Sequence, residues 1–410
     1  MRVLIVNTSE RAGGAAVAAS RLLEALNNNG IKAKMLVRDK QTDNLCVVQH
    51  PQQRRLRWAF LWERLVIWMR LHLRRKRLFE IDIANSGADI TQLPEFQEAN
   101  VIHLHWINQG MLSLKQIRKI LDSGKRVVWT MHDIWPATAI CHLTLDCRRF
   151  EEQCDACPLS NSLATKVWRR KRQMLEKKRV TFVACSEWLA GEARKSALLK
   201  GQTIVSIPNP IDTHVFRPGD RQAARQALGL PEDGKMILFV SQRATNPYKG
   251  MQYLIEACGK SNLGDTFVAI LGGHAEELES RLPLKSYALG YINDEHRIVQ
   301  VYQAANVFVL PSLSENLPNT IMEAMACGVP CLGFNVGGIP EEIEHQKTGY
   351  VAAYRDAEDL ARGLHWILEE ADYDTLSNAC LHHVAACYSQ QSVAKRYIEV
   401  YENQHCHHHL

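Results

Sequence analysis

Two carboxylates separated by seven residues, Glu315 and Glu323, stand where a buried strand gives way to a helix. The apolar run 307–310 predicts the strand, and the amphipathic pattern after Pro318 predicts a helix that ends near Gly328. Free amides at the start of a helix bind phosphate oxygens, and a carboxylate beside them can accept hydrogen bonds from ribose hydroxyls. This spacing therefore predicts a site in which the two carboxylates hold opposite ends of one sugar nucleotide.

The same residues have a structural alternative. Thr320 and Glu323 have the spacing of a capping box, in which the Thr hydroxyl and the Glu carboxylate satisfy amides of the first helical turn. In that case Glu323 would stabilise the helix without touching a ligand. Both interpretations stay open at the level of the sequence.

Two further segments accompany these carboxylates: 335–341, Asn-Val-Gly-Gly-Ile-Pro-Glu, and 347–350, Lys-Thr-Gly-Tyr. Together with 312–330 they resemble the donor site of family 4 retaining glycosyltransferases. The resemblance implies an α/β protein with the GT-B fold, in which two Rossmann-like domains face each other across a cleft and the last helix crosses back to the first domain. The pattern around Trp106 and Leu112 is similar to that of the capsule and exopolysaccharide subgroup, of the colanic-acid type.

The length and composition are those of a two-domain globular protein. A chain of 410 residues exceeds one ordinary core, and 46% hydrophobic with 23% charged residues is ordinary for a globular fold. No apolar run is long enough to span a bilayer, and polar residues follow the apolar run 3–6 at once, which indicates a first strand and not a signal peptide. With twelve cysteines but no export signal, we expect reduced thiols and a cytoplasmic location.

Three prolines in the segment 208–218 predict the domain boundary, and this segment resembles the interdomain segment of the family. We expect a Rossmann-like acceptor-binding domain over 1–207, a linker over 208–218 and a Rossmann-like domain that binds the nucleotide-sugar donor over 219–387. Residues 388–410 would form the helix that returns to the first domain, and a tail. The cysteine and histidines of that tail, from Cys406 onwards, are not expected to form a site.

In the second half, a fork-shaped guanidinium and a point-charge ammonium, Arg243 and Lys249, lie on one loop after the apolar run 236–240. Such a pair suits a diphosphate, although two surface cations would give the same sequence. The resemblance implies the first role, with Ser241 in place of a frequent glycine. It also implies contacts to the base and to the rest of the nucleotide from four further residues: Ile292, Asn319, Thr320 and Glu323.

The first half offers a glycine turn and a histidine at two predicted strand ends. Gly13-Gly14 follows the first strand and opens a helix, which lets a ligand approach the backbone or forms only a flexible loop. His132 and Asp133 follow the strand predicted over 126–131, where ligands of open parallel sheets bind, although most single histidines are structural. The resemblance implies that Gly13-Gly14 faces the donor phosphates and that His132 lies beside the transferred sugar.

Four cysteines lie close together in the segment 141–158, namely Cys141, Cys147, Cys154 and Cys157. Cys154-x2-Cys157 is a half-site for zinc, the other two thiols would complete a tetrahedral set, and His142 is a further candidate ligand. The first pair is spaced more loosely than in a zinc ribbon, so unligated or disulfide-bonded cysteines are the alternative. The hypothesis is a structural zinc ion that staples a loop near the acceptor side.

The stretch 54–79 mixes arginines with tryptophans and aliphatic residues. This is the composition of an interfacial helix, which places rings and aliphatic groups among lipid headgroups. A second basic run, 166–179, could extend the same surface. The alternatives are a core helix with a solvated basic face and a nucleic-acid site, but no recognised nucleic-acid motif accompanies these charges. We expect an anionic membrane surface as a partner, and no nucleic acid.

These observations predict a retaining hexosyltransferase that uses a UDP- or GDP-sugar and a glycan acceptor, lipid-linked at the inner face of the plasma membrane, in cell-surface polysaccharide biosynthesis. Because no Asp-x-Asp pair follows a strand, we expect no catalytic metal. Arg243, Lys249 and the helix amides near Thr320 would stabilise the leaving group. The resemblance implies a front-face route, with Glu315 orienting the sugar and His132 acting at its far side or on its charge.

Two other functions fit the same sequence. A sugar-nucleotide epimerase or phosphorylase would use the same two-domain frame, and a non-catalytic, membrane-associated sugar-binding subunit would use only its binding site. Release of a nucleoside diphosphate only when a glycan acceptor is present favours the transferase. Failure to bind any nucleoside diphosphate favours the subunit.

Overall fold

The computed structural model describes residues 1–73 and 77–402, which divide into two compact units. The first unit comprises Met1–Pro210 and the C-terminal segment that starts at Val393, and the second comprises Ile211–Ser392. The tail that carries Cys406 lies outside the described residues, as do residues 74–76 of the basic stretch. Within the described ranges, we find no helix with both the length and the apolar character needed to cross a membrane.

The first unit is built on a parallel sheet whose strands are short runs of β-branched and aliphatic residues. The strands are β1 (Arg2–Ser9), β2 (Lys32–Asp39), β3 (Val47–Gln49), β4 (Val101–Leu104), β5 (Arg126–Met131), β6 (Thr181–Ala184) and β7 (Thr203–Ser206). They lie in the order β3-β2-β1-β4-β5-β6-β7. The order reverses between β1 and β4, which is the kind of switch point at which open parallel sheets bind ligands.

Apolar residues cover both faces of this sheet. Leu4 and Val6 enter one buried cluster and Val3 and Ile5 enter another, because successive side chains of a strand point to opposite faces. The helices of the unit are α1 (Gly14–Asn28), α2 (Gln53–Arg70), α3 (Pro94–Glu98), α4 (Leu114–Asp122), α5 (Asn161–Leu175) and α6 (Glu187–Arg194). Short 3₁₀ turns span Trp135–Ala137 and Arg149–Glu151.

The second unit has its own parallel sheet. Its strands are β8 (Lys235–Arg243), β9 (Thr266–Gly273), β10 (Ser286–Gly290), β11 (Val307–Leu310), β12 (Cys331–Phe334) and β13 (Gly349–Ala352). They lie in the order β10-β9-β8-β11-β12-β13. The two apolar runs that the sequence assigns to strands, 236–240 and 307–310, are found in β8 and β11.

Helices of the second unit alternate with these strands, as parallel pairing requires. They are α7 (Arg221–Leu228), α8 (Met251–Lys260), α9 (Glu276–Glu279), α10 (Glu295–Ala304), α11 (Asn319–Ala326), α12 (Ile339–Glu342), α13 (Ala357–His365) and α14 (Tyr373–Cys387). A 3₁₀ turn spans Pro247–Lys249, and a π-helical turn, Trp366–Glu370, follows α13.

The last helix, α15 (Gln390–Glu402), joins the core of the first unit. Val393, Tyr397 and Tyr401 belong to the same buried cluster as Val3 and Ile5 of β1. The Tyr401 hydroxyl and His103 Nδ1 are hydrogen-bonded at 2.7 Å. The predicted fold class, with two Rossmann-like units and a last helix that returns to the first, is therefore confirmed. The cleft between the two domains stays a prediction.

Candidate active site

Two strand ends meet at the switch point of the second sheet, where the order reverses between β8 and β11. Strand β8 ends at Arg243, and β11 ends at Leu310, shortly before the loop that carries Glu315. Parallel strands present their carboxyl ends at one edge of a sheet, and ligands bind there. The predicted cations and the first predicted carboxylate therefore come from adjacent loops.

Glycine at position 250 allows these two loops to touch. Gly250 has φ +72°, and a Cβ atom there would lie 1.8 Å from the carbonyl oxygen of Pro311. Beside this contact, the N–H of Leu313 donates to the carbonyl of Tyr248 at 2.8 Å. Any side chain at position 250 would separate the loops, so both the backbone angle and the packing require glycine.

The two loops place Lys249 against Glu315, and Lys249 Nζ donates to Glu315 Oε1 in an ion pair. The Lys249 side chain is 30% exposed and that of Glu315 is 14% exposed, so the pair faces solvent only in part. Arg243 is exposed, and its Nε donates to Thr245 Oγ1 at 3.1 Å. The cation predicted to hold the diphosphate and the carboxylate predicted to orient the sugar are therefore in contact, and a diphosphate would compete with Glu315 for Lys249.

A capping box at Thr320 requires Thr320 to be the N-cap residue, but helix α11 begins before it. Its N-cap is Pro318, and no side chain caps it. Thr320 therefore lies within the first turn, and Glu323 accepts a hydrogen bond from the Tyr302 hydroxyl at 2.8 Å. The capping-box interpretation is wrong. Because proline offers no side-chain acceptor, the first turn presents amides that suit phosphate oxygens.

The flanking glycine segment packs directly on the Glu315 loop. Gly337 has φ +59°, and a Cβ atom there would lie 1.8 Å from the carbonyl oxygen of Glu315. At the edge of the sheet, Ile292 is half-buried and lies just beyond strand β10, which ends at Gly290. The contacts of Ile292, Asn319 and Thr320 with a donor stay predictions.

A buried acid beside this site was not found from the sequence. Glu342 ends α12 and is fully buried, and neither carboxyl oxygen has a hydrogen-bond partner within the part of the chain that the structure describes. Burial raises the pKa of Glu342 well above its ordinary value, and the charges of Glu315, Glu341 and Glu323 act in the same direction. A fully buried carboxyl group without a hydrogen-bond partner favours its protonated form.

Replacing Glu342 with Gln is expected to stabilise the protein at neutral pH by on the order of 1 kcal/mol or more. A carboxyl group whose pKa is raised by folding contributes stability below its unfolded pKa and loses it as the pH rises, since only the unfolded chain releases the proton. Thermal unfolding of E342Q and of the parent is measured from about pH 5 to about pH 8. The stability of E342Q relative to that of the parent should increase with pH. The exposed Glu358→Gln is the control, and a gap independent of pH would contradict a neutral Glu342.

In the first unit, the turn after β1 has the predicted form. Gly13 is the N-cap of α1 with φ +92°, the space around its position is open, and no side chain caps the helix. The N–H groups of Ala16 and Val17 both donate to the Gly13 carbonyl. The strand, glycine turn and helix are confirmed, whereas contact of Gly13 and Gly14 with donor phosphates stays a prediction.

His132 follows β5 and is bonded on both ring nitrogens. Its Nε2 lies 2.9 Å from His105 Nδ1, and its Nδ1 lies 3.5 Å from Cys185 Sγ. Burial lowers the pKa of His132 to about 4, so the ring is neutral at neutral pH. A neutral ring does not support the expected action on the charge of the sugar, and the role of His132 beside the sugar stays a prediction.

Asp133 is held by three donors: Trp106 Nε1 at 3.0 Å, the backbone N–H of Trp135 at 2.9 Å and His142 Nδ1 at 2.7 Å. The other ring nitrogen of His142 lies 2.6 Å from Asp82 Oδ2. Burial alone would lower the pKa of His142, but the two carboxylates raise it to about 10. Burial would likewise raise the pKa of Asp133, but His142 and the other donors hold it below its ordinary value. An imidazolium thus bridges two carboxylates.

The same network reaches helix α2. Arg64 pairs with Asp82 and donates to the carbonyl of Leu78 at 2.6 Å, while Glu63 Oε1 accepts from the N–H of Ile83 at 2.9 Å. The side chains of Glu63 and Arg64 are both buried. The loop after β5 is therefore linked to α2 by charged hydrogen bonds, which the sequence did not reveal.

Two family models match most of the chain. Residues 12–215 match the model described as Glycosyltransferase Family 4, and residues 220–379 match the model described as Glycosyl transferases group 1. Among curated proteins, the chain is 31% identical over 184 residues to D-inositol 3-phosphate glycosyltransferase 2 of Catenulispora acidiphila, covering 40% of this chain and 42% of that protein. It is 27% identical over 286 residues to the D-inositol 3-phosphate glycosyltransferase of Acidothermus cellulolyticus, covering 64% and 57%.

The chain spans about half the length of the curated relatives it matches. Over nearly its whole length it shares its fold with solved structures. Sucrose-phosphate synthase from Thermosynechococcus elongatus aligns with a TM-score of 0.67 and 20% identity, covering 98% of both chains. Anabaena HepE in complex with UDP and glucose aligns with a TM-score of 0.65 and 15% identity, covering 98% of this chain and 99% of that one. The chain therefore consists of a Family 4 domain followed by a group 1 domain, and it belongs to the glycosyltransferases of the GT-B fold.

Proposed function

We propose that this glycosyltransferase moves a hexosyl-type sugar from a nucleoside-diphosphate sugar to a hydroxyl group of a glycan, with retention of the anomeric configuration. The observation that carries the proposal is the pairing of Lys249 with Glu315 on the loop that leads into the uncapped N-terminus of α11. A cation, a carboxylate and the start of a helix that no side chain caps, at one switch point, suit the phosphate and hydroxyl groups of such a donor.

The leaving diphosphate determines which residues act in the chemical step. As the bond between the anomeric carbon and the phosphate oxygen breaks, negative charge grows on that oxygen. Arg243, Lys249 and the amides of α11 would stabilise this charge, which is the largest contribution that such a site makes. Glu323, held by Tyr302, would accept a hydrogen bond from the ribose, and Glu315 from the sugar.

Retention is proposed to follow a front-face route. The acceptor oxygen forms its bond to the anomeric carbon on the face from which the diphosphate leaves, and its proton passes to the departing phosphate oxygen. Atoms and charge balance without a protein nucleophile or a further reactant. His132 would lie at the far side of the sugar as a neutral ring, and Gly13-Gly14 would leave room for the donor phosphates.

UDP or GDP is the proposed nucleotide. Support for UDP comes from Anabaena HepE, solved with UDP-glucose, which shares the fold at 16% identity. A thermal-shift panel of UDP, GDP and ADP with their sugars tests donor binding, because a ligand at about 100 times its Kd stabilises the native state by about 2.7 kcal/mol. Stabilisation by one nucleotide and its sugars is expected, and no shift with any of them would contradict the donor site.

Two acceptor classes are proposed for testing. The first is a glycan, lipid-linked, in cell-surface polysaccharide biosynthesis, as the sequence predicts. The second is an inositol phosphate, because the curated relatives named above are D-inositol 3-phosphate glycosyltransferases. Turnover of one donor, measured with each acceptor in turn, discriminates the two classes. A phosphate-bearing acceptor also requires cations in its binding site, which a neutral glycan does not.

A place at the inner face of the plasma membrane is part of the proposal, and helix α2 supports it. The helix buries its charged residues Glu63 and Arg64 and turns large apolar side chains to solvent, at the spacing of one helical face: Trp58, Leu61, Trp62, Leu65 and Met69. The helix also buries Leu56, Ala59 and Ile67, as the alternative of a core helix expects, but its exposed face is apolar as well as basic. Trp58 is 72% exposed, which water alone does not favour for so large a ring.

The charged residues around this apolar face of α2 indicate which kind of surface it would bind. Exposed arginines accompany the apolar residues at both ends of α2, including Arg55, Arg57 and Arg70. Rings and aliphatic groups between guanidinium groups suit a bilayer with anionic headgroups. The second basic run differs, because Trp168 and Lys171 of α5 are buried and only its other cations face solvent.

Replacing both Trp58 and Trp62 with Ser is expected to weaken binding to vesicles that contain phosphatidylglycerol by at least about tenfold, because each ring loses apolar burial in the interface. Co-sedimentation measures this, and pure phosphatidylcholine vesicles should bind the parent weakly. Leu45→Ser, at a residue 92% exposed elsewhere in the first unit, is the control. Unchanged binding of the double variant would remove α2 from the membrane proposal.

The epimerase and phosphorylase alternatives differ from the transferase in the substrates they consume and the products they release. An epimerase releases no nucleoside diphosphate, and a phosphorylase needs inorganic phosphate. Nucleoside diphosphate that appears only with a glycan or inositol phosphate present supports the transferase. A sugar-binding subunit would give no turnover with any acceptor.

A further inference from the structure

The cysteine-rich insertion between β5 and α5 holds a cluster of thiols that the proposed transfer reaction does not use. Cys154 is buried, Cys141, Cys147 and Cys157 are half-buried, and all four are free of disulfide bonds. A hydrogen bond joins the thiols of Cys141 and Cys157, and charges on Cys154 and Cys147 act on Cys141. The fold therefore brings together all four cysteines of the segment.

The backbone around these thiols donates hydrogen bonds to sulfur. Cys157 accepts from the backbone at Leu159 and Ser160, and Cys154 accepts from the backbone at Ala139. Metal ligands are commonly hydrogen-bonded in turn, so these donors are compatible with metal-bound sulfur. Cys154 and Ala156 have φ of +52° and +47°, a rare conformation for such residues, which makes the tight turn of Cys154-x2-Cys157.

The structure removes His142 from the list of ligands. Its two ring nitrogens lie 2.7 Å from Asp133 Oδ2 and 2.6 Å from Asp82 Oδ2, so neither is left for a metal. The remaining donors are sulfur alone. A set of four thiolates is typical of structural zinc.

A buried lysine lies beside the cluster. Lys171 is 1% exposed, its Nζ donates to the carbonyls of Trp135 at 2.5 Å and Thr138 at 3.0 Å, and it lies 3.3 Å from the centre of the Trp135 ring. Burial lowers the pKa of Lys171 well below its ordinary value, and the negative charges of Cys154 and Cys141 act in the opposite direction. Zinc with four thiolates keeps a net negative charge, which would favour the ammonium form of this lysine.

The four sulfur atoms still have to approach each other. In the described chain, no three of them lie within 4.8 Å of one another, and the one cluster that meets this limit is the exposed set His274, Glu276 and Glu277. Zinc–sulfur bonds of about 2.3 Å in a tetrahedron require sulfur atoms about 3.8 Å apart. Cys141 and Cys157 are already hydrogen-bonded, so metal binding requires both Cys154 and Cys147 to approach them. Cys147 lies between exposed residues of the loop 143–148.

We propose that Cys141, Cys147, Cys154 and Cys157 bind one structural zinc ion, which fixes the insertion beside the loop that carries His132 and Asp133. The link is covalent and short, because His142 follows Cys141 directly and holds Asp133. The inference does not depend on the identity of the sugar, the nucleotide or the acceptor.

Metal analysis of the full chain, purified without chelator or added metal, tests the proposal. We expect about one zinc per chain in the parent and in the control Cys46→Ser, and less than about 0.2 in Cys154→Ser and in Cys147→Ser. Since a cysteine variant can fail to fold, cobalt exchanged into the parent gives a second readout, the absorption of tetrahedral cobalt with four thiolates. Less than about 0.2 zinc in the parent, or a disulfide between Cys141 and Cys157 found by alkylation and mass spectrometry, would overturn the proposal.

Discussion

Lys249→Ala is expected to lower turnover by about 10²–10³-fold, because it removes one of the charges proposed to stabilise the leaving diphosphate in the transition state. The thermal midpoint should change little. The Lys249–Glu315 pair is partly exposed, and such pairs contribute about 0–1 kcal/mol to stability. Turnover measured at saturating donor, with the thermal midpoint of the same preparation, separates the two effects.

Lys260→Ala is the matched control for this experiment. Lys260 is also a lysine of the second unit and is also paired, with Glu358 at 3.1 Å, but it lies at the end of α8, away from the ends of the strands that form the candidate site. Its replacement should leave turnover unchanged. If Lys249→Ala turned over donor at the rate of the parent, Lys249 would have no part in the mechanism.

Asp82→Asn is expected to destabilise the first unit by about 3–5 kcal/mol, because it removes the carboxylate that Arg64 and His142 share inside the unit. Arg64 is 6% exposed and His142 is 14% exposed, and both contact Asp82. Denaturant unfolding followed by tryptophan fluorescence reports on this unit, since Trp366 is the one tryptophan of the chain outside it. Asp89→Asn, which breaks the exposed pair with Lys119, should cost less than about 1 kcal/mol.

The stability that His142 contributes has a defined pH window. Its pKa in the folded protein is raised to about 10 from an ordinary value of 6.5, by the carboxylates of Asp133 and Asp82 against the effect of burial. A group with a raised pKa contributes fully below its unfolded pKa and loses that contribution as the pH rises through the folded one. The parent should therefore lose stability between these two values, and Asp82→Asn should lose less. If the stability of the parent and of Asp82→Asn depended equally on pH, a charged His142 between the two carboxylates would be contradicted.

Local sequence patterns were sufficient to predict several strands and the glycine turn after β1. The run 307–310 is β11 without change, because β-branched and aromatic residues without polar interruptions suit a buried strand. The turn at Gly13 was also predicted, since a glycine between a strand and a helix has few structural alternatives. The cap of α11 was predicted wrongly, because the helix begins directly after Pro318 and Thr320 falls inside it.

The charged core of the first unit could not be predicted in this way. Asp82 and His142 are sixty residues apart in the chain, and no local pattern connects them. Arg64 and Lys171 belong to runs whose composition indicates a basic surface, yet both are buried against partners that only the tertiary structure supplies. The burial of Glu342 could not be predicted either. Helix α12 is too short to show a periodicity from which its buried side can be inferred.

The measurement that tests the central claim most directly is the anomeric configuration of the product together with the release of nucleoside diphosphate. The parent protein, given a UDP- or GDP-sugar and an acceptor, should release nucleoside diphosphate only when the acceptor is present, and nuclear magnetic resonance of the product should show the configuration of the donor. Release without an acceptor, or a product of inverted configuration, would contradict retaining transfer at this site.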